Sequence, residues 1–270
     1  MKHGLCAMMV VLGWLSVGTA AEHAPIPPGE DSAKERLDTS PRHGEFVTVD
    51  AAGGPVRTWV VYPERKDKAP VVIVIHEIFG LTDWIRAVAD QLAADGFIAV
   101  APDLLSGKGP NGGGTEAFAS RDDAVQAVSG LPREQVLARL GAVRGYALGL
   151  PAAGGKIASL GFCWGGMTSF AYAASEPTLD AAVVYYGTPP SDVSALAAPV
   201  MGFYGGNDER VDATIAPTKA KMKALGKPYE PHVYEGAGHG FLRAQADEAN
   251  RHASEQAWPA TLAFLRAHTR

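Results

Sequence analysis

Cysteine is nearly absent from this sequence: two occur in 270 residues, Cys6 and Cys163. At most one intramolecular disulfide could form, so a disulfide-stapled scaffold is excluded and the fold must rest on apolar packing. Lysine and arginine form no block and the net charge is −5, which leaves no basic face for a nucleic acid. No His, Cys, Asp or Glu cluster has metal-ligand spacing, so no metal or other cofactor is expected. Repeats are missing too. Hydrophobic residues make up 47% and charged ones 20%, as in an ordinary globular chain.

What is present begins with a leader. Lys2 and His3 precede an apolar run from Leu5 to Val17, followed by the small residues Thr19, Ala20 and Ala21. The run is short for a membrane span, and polar residues follow at once. Residues 1–21 are therefore expected to be a signal peptide cut after Ala20 or Ala21, an uncleaved anchor being the alternative. Cleavage leaves a periplasmic or secreted protein, off the membrane and expected to be a monomer, with Cys163 as its one thiol. Such a thiol in an oxidising compartment is either buried as a small hydrophobe or put to use.

Residues 22–43 carry Pro25, Pro27, Pro28 and Pro41 without periodicity, and are expected to form a linker or a loosely packed arm. Residues 44–270 read as one α/β domain. Phe46–Val49 and Val56–Tyr62 look like an antiparallel pair around Gly53-Gly54-Pro55. The β-branched run Val71–Ile75 predicts a strand covered on both faces. Ile85, Val88, Ala89 and Leu92 then recur at helical spacing before the apolar run Phe97–Ala101. This strand–helix–strand order predicts a mostly parallel sheet flanked by helices. A glycine-rich loop is expected over 106–115. Beyond it, Val136, Leu140, Val143 and Ala147 share a helical face, with Arg139 and Arg144 off it. Further strands are expected at 157–160, 182–186, 200–204 and 229–234, and a last helix carries Trp258, Leu262 and Leu265.

The sharpest local feature is Gly161-Phe162-Cys163-Trp164-Gly165-Gly166, between a predicted strand and a predicted helix. A tight strand-to-helix turn strains the residue at its apex and crowds its neighbours, so those must be glycine. This is the context of a nucleophile elbow with cysteine in place of serine. The helix N-terminus is expected to lower the thiol pKa and to offer backbone N–H groups to an oxyanion. Asp208 follows the fifth of the parallel strands and His239 the sixth, each on a glycine-bearing loop at a strand's carboxyl end, where open α/β sheets bind ligands. The chain order nucleophile, acid, base is that of α/β-hydrolases. His239 would take the thiol proton and later activate water, with Asp208 holding the imidazole. The oxyanion donors are expected to be the N–H groups of Ile78 and Trp164. Glu77, an acid closing a buried strand, is either part of the site or a structural partner of an arginine. Glu209 and Asp212 read as solvated charges and His232 as a sheet-face residue, while His43 and His252 have no partner pattern.

Taken together, His76-Glu77-Ile78-Phe79-Gly80, Ala101-Pro102-Asp103-Leu104, Gly161–Gly166, Tyr185-Tyr186-Gly187, Gly205-Gly206-Asn207-Asp208 and Gly238-His239-Gly240-Phe241 resemble the dienelactone hydrolase family. The resemblance implies an α/β-hydrolase fold and cleavage of a small-molecule ester or lactone by a triad of Cys163, His239 and Asp208. It also implies that Glu77 contacts the resting thiol and that Arg243 is one of two arginines gripping a substrate carboxylate. The other arginine is replaced by Gly107, leaving Lys108 as the available cation. A lysine does not reproduce a bidentate guanidinium, so a substrate other than dienelactone is expected. Two further readings compete: a thiol redox or detoxifying protein using Cys163, and a catalytically silent binding scaffold.

Overall fold

The computed structural model describes Met1 and residues 26–270; the leader, apart from Met1, lies outside them. In chain order the elements are α1 (Ala33–Asp38), β1 (Gly44–Val49), β2 (Val56–Val61), β3 (Ala69–Ile75), α2 (Asp83–Ala94), β4 (Ile98–Pro102), α3 (Arg121–Ser129), α4 (Arg133–Leu148) and β5 (Ala153–Phe162). They continue with α5 (Trp164–Ser175), β6 (Ala181–Tyr185), β7 (Val200–Gly205), α6 (Glu209–Asp212), α7 (Ile215–Ala224), β8 (Tyr229–Tyr234) and α8 (Glu248–His268). The eight strands form one sheet in the order β1-β2-β4-β3-β5-β6-β7-β8. β1 pairs antiparallel with β2, and β2 with β4; every other pairing is parallel.

The pleat divides the core into two layers. Val72 and Val74 point to one side with Leu160, Phe162, Val183 and Tyr185, against Trp84 and Val88 of α2 and Trp258 and Leu262 of α8. Val71, Ile73 and Ile75 point to the other side with Val100, Val184 and Val200, against Leu140 and Val143 of α4, Phe170 of α5 and Met222 of α7. A strand buried on both faces has no polar alternation, which explains the continuous apolar run of β3. Chain order reverses at β3, which pairs with β4 on one side and β5 on the other. The crevice at such a reversal opens at the carboxyl ends of those strands, after Ile75 and Phe162.

One expectation needs correction. Residues 26–43 are a docked arm rather than a loose one. Trp84 donates its indole N–H to Pro28 O at 3.0 Å, Gln245 donates to Pro27 O at 2.9 Å, and Asp90 of α2 accepts from Ser40 Oγ at 2.6 Å and Arg42 Nε at 3.0 Å. The arm thus satisfies polar groups that α2 would otherwise bury unpaired. Arg139, off the apolar face of α4, is nevertheless buried. Its guanidinium donates to Leu104 O at 2.7 Å and Ser106 O at 2.9 Å, fixing the chain just beyond β4. Loop 106–115 is irregular, as expected, and Asp103 ties it down by accepting from Thr115 N and Thr115 Oγ1, both at 2.7 Å.

Candidate active site

Cys163 stands between β5 and α5 with φ +54° and ψ −115°, a left-handed backbone rarely held by a residue with a side chain. The turn that imposes it is locked by backbone bonds: Cys163 N–H donates to Tyr185 O and Met167 N–H donates to Cys163 O, both at 3.0 Å. Glycine is obligatory at two flanking positions. A Cβ on Gly161 would lie 2.0 Å from Gly165 O, and one on Gly165 would lie 2.3 Å from Ile75 O. These contacts are backbone on backbone, so no side chain can yield.

His239 and Asp208 reach the same place from the loops after β8 and β7. His239 Nδ1 lies 2.5 Å from Asp208 Oδ2, and Asp208 also caps α6 by accepting from Val211 N. With Nδ1–H given to the buried carboxylate, Nε2 is left as an acceptor. His239 and Cys163 both line a cavity of about 180 Å³, with Ile78, Trp164, Tyr186 and Arg210 around them. The ring of Tyr186 lies 5.1 Å from that of His239 and limits its movement. Glu209 and Asp212 follow in α6, where neither bonds the imidazole.

The peptide between Glu77 and Ile78 is held firmly. Its carbonyl accepts from Gly80 N–H at 3.2 Å and from the buried His76 ring at 2.7 Å. His76 Nε2 in turn accepts from Leu104 N–H at 3.3 Å, so Nδ1 carries the proton. Burial keeps this imidazole neutral by lowering its pKa. In a trans peptide the N–H opposes the C=O, so these bonds also set the direction of Ile78 N–H. Neither Ile78 N–H nor Trp164 N–H donates to a backbone carbonyl among the described residues.

The electrostatics reverse one expectation. The thiol of Cys163 is pushed up to about 11, first by burial and then by the charge of Glu77. The Trp164 N–H, Arg210 and Arg243 pull the other way without prevailing. A resting thiol at this site is neutral. Glu77 is 3% exposed, and its carboxylate faces Arg243 Nε at 2.9 Å. Burial lifts it to about 7 against the opposing pull of Arg243.

That shift has a checkable consequence. The folded chain holds the Glu77 proton more tightly than the unfolded chain does. The resulting stability is complete below about pH 4.5 and is lost as pH rises through about 7, a change of roughly 3 kcal/mol. Thermal unfolding followed across this window should show the loss in the wild type. Glu77→Gln should flatten it, and equal slopes in the two proteins would contradict the assignment.

Arg243 does not open freely onto the cavity. It is ion-paired to Glu77 and to Glu30 of the arm, and Glu30 also holds Arg121 at 2.6 Å. The guanidinium of Arg121 stacks 3.7 Å from the centre of the Phe79 ring, and that of Arg243 stacks 5.3 Å from it. Lys108 takes no part: it is exposed and off the cavity. Gly107 turns the chain with φ +75° just after Ser106, which Arg139 pins, and this carries Lys108 outward. Sequence reasoning missed Tyr186, Arg210, Arg121 and Glu30. Of these, only Tyr186 stood in a recognised motif.

A sheet of this topology, with a strained turn after β5 and a His–Asp pair on the loops after β7 and β8, defines the α/β-hydrolase class. Comparison with known proteins narrows it. The dienelactone hydrolase family model matches residues 56–269, so the chain belongs to that family and is a hydrolase acting on ester or lactone bonds. An Escherichia coli protein assigned as a carboxymethylenebutenolidase is 32% identical over 245 residues, 83% of this chain and 86% of that one. A Bradyrhizobium protein assigned as a 2-oxo-3-(5-oxofuran-2-ylidene)propanoate lactonase is 29% identical over 240 residues, covering 83% and 94%. Among solved structures, one assigned as a dienelactone hydrolase from Klebsiella pneumoniae superposes with a TM-score of 0.74 at 28% identity, covering 83% of this chain and 98% of that one.

Proposed function

We propose that the enzyme cleaves a small carboxylic ester or lactone with Cys163 as nucleophile, His239 as general base and acid, and Asp208 as the group that orients the imidazole. The supporting observation is a strained cysteine and a His–Asp pair that open onto one cavity. The substrate carbonyl oxygen sits against the N–H groups of Ile78 and Trp164. The thiol, neutral at rest, gives its proton to Nε2 of His239 as sulfur attacks the carbonyl carbon. Collapse of the tetrahedral intermediate forms an acyl-thioester, and the departing alkoxide takes the proton from His239. Water then loses a proton to His239, attacks the thioester, and releases the acid and the thiol.

Burial, aided by the charge of ionised Glu77, keeps the resting sulfur protonated, and Arg243 with Arg210 favours the thiolate once chemistry starts. A thiol held near 11 also argues against the redox reading, because redox-active cysteines need a lowered pKa. We further propose export of the mature enzyme, which fractionation of cells producing the full chain would test.

Asp208→Asn offers the amide in place of the carboxylate and turns the imidazole to the wrong tautomer. It should lower kcat on a chromogenic ester by about 10²–10⁴-fold with little change in KM. A kcat within a few fold of wild type would remove Asp208 from the mechanism.

A further inference from the structure

We propose that the natural substrate carries an extended apolar arm, seated in a groove that continues from the catalytic cavity; this rests on the hydrolytic reading above. The cavity beside Cys163, about 180 Å³, is small for a whole ligand, since most small-molecule sites span roughly 300–1,000 Å³. Next to it lies a groove of about 360 Å³. The two share walls: Trp164 and Met167 line both. A second wall is also continuous, because Thr188 lines the cavity while Pro189 and Pro190, next in the chain, line the groove. An acyl or alkyl chain leaving the scissile carbonyl would run along these shared walls from the cavity into the groove.

The lining explains the class of arm. Leu131, between α3 and α4, and Leu137, one turn into α4, line the groove together with Met167 and Ala171 of α5. No acidic residue lines it, and its one cation, Arg133, makes no ion pair among the described residues. Met167 is 38% exposed although it follows the half-buried Cys163 by one helical turn. A flexible thioether at the junction of two cavities adapts to a chain passing over it. An exposed apolar surface next to reacting atoms is then covered by substrate, which is where burial contributes to transition-state binding.

Each methylene taken from water into such a groove contributes up to about fourfold in affinity. Along the p-nitrophenyl acetate, butyrate, hexanoate and octanoate series, kcat/KM of the wild type should rise at least about twentyfold, chiefly through KM. Leu137→Asp should abolish the rise and leave acetate turnover unchanged, and Leu131→Asp should do the same if the first variant folds poorly. A second readout does not depend on turnover. In Cys163→Ala, ethyl octanoate should shift the Met167 methyl resonance at concentrations where ethyl acetate does not. A Met167 shift without any wild-type ester turnover would uphold the groove and sink the hydrolytic reading. A flat chain-length profile with a silent Met167, in an enzyme that still turns over acetate, would overturn the groove alone.

Discussion

Cys163→Ala should lose at least about 10⁴-fold in kcat on any ester the wild type cleaves, while unfolding at nearly the wild-type temperature. The size of the kinetic loss follows from the role assigned: without sulfur there is no acyl-enzyme, and what remains is carbonyl polarisation by two N–H groups and positioning alone. The small effect on folding follows from the site. Cys163 is half-buried at the floor of a cavity, and Ala accepts the same backbone with the same strain. Its φ of +54° is set by the bonds to Tyr185 O and from Met167 N, which the substitution leaves in place. Steady-state kinetics beside a thermal melt checks both halves. Equal turnover in the two proteins would contradict the proposed chemistry, and a collapsed melt would show that the thiol also packs.

Gly165→Ala should have the opposite profile and cost several kcal/mol of stability, about 3–5 or more. The new methyl would lie 2.3 Å from Ile75 O and 2.4 Å from His76 O. Ile75 closes the buried strand β3 and His76 follows it, so the clash can be relieved only by moving α5 away from β3. A loss of that size is a large part of the stability of a typical domain, and it falls on the junction that holds Cys163 in place. Gly141→Ala provides the contrast. That glycine lies inside α4, and its Cβ would have no neighbour within 4 Å, so the helix should gain about 0.5–1 kcal/mol. Chemical denaturation of the two variants beside the wild type measures both. A Gly165→Ala protein as stable as the wild type would show that the elbow can relax.

Both predictions concern a turn that could be read from the chain. Glycines at 161, 165 and 166 around a cysteine after an apolar strand are a local pattern with one steric cause. Asp208 and His239 were legible for a related reason, since each closes a strand and stands on a glycine-bearing loop. β3 was legible because burial on both faces leaves no polar alternation to obscure it. What escaped depends on parts of the chain far apart in sequence. The arm's helix α1 has six residues, too few for a periodic signal, and its docking is decided by Asp90 and Trp84 some fifty residues on. Arg139 stands off the apolar face of its helix, and nothing local marks it as buried. Only the fold brings the carbonyls of Leu104 and Ser106 to it. Arg121 and Arg243 meet through Glu30, three segments that no motif connects.

The direction of the thiol shift escaped for the same reason. A helix N-terminus is visible in sequence and argues for a lowered pKa. The burial of Cys163 and the nearness of Glu77 are tertiary facts, and they outweigh it. The site is thus a neutral thiol beside a carboxyl that titrates near neutrality, rather than a standing thiolate.

The central claim is that sulfur carries the acyl group, and it can be seen directly. The wild-type protein is mixed with p-nitrophenyl acetate, quenched in acid within the first turnovers, digested, and mapped by mass spectrometry. The account predicts one acetyl group on the peptide containing Cys163, released by hydroxylamine as a thioester is, and absent from Cys163→Ala. An acetyl group on a different residue, still formed and turned over in Cys163→Ala, would contradict it.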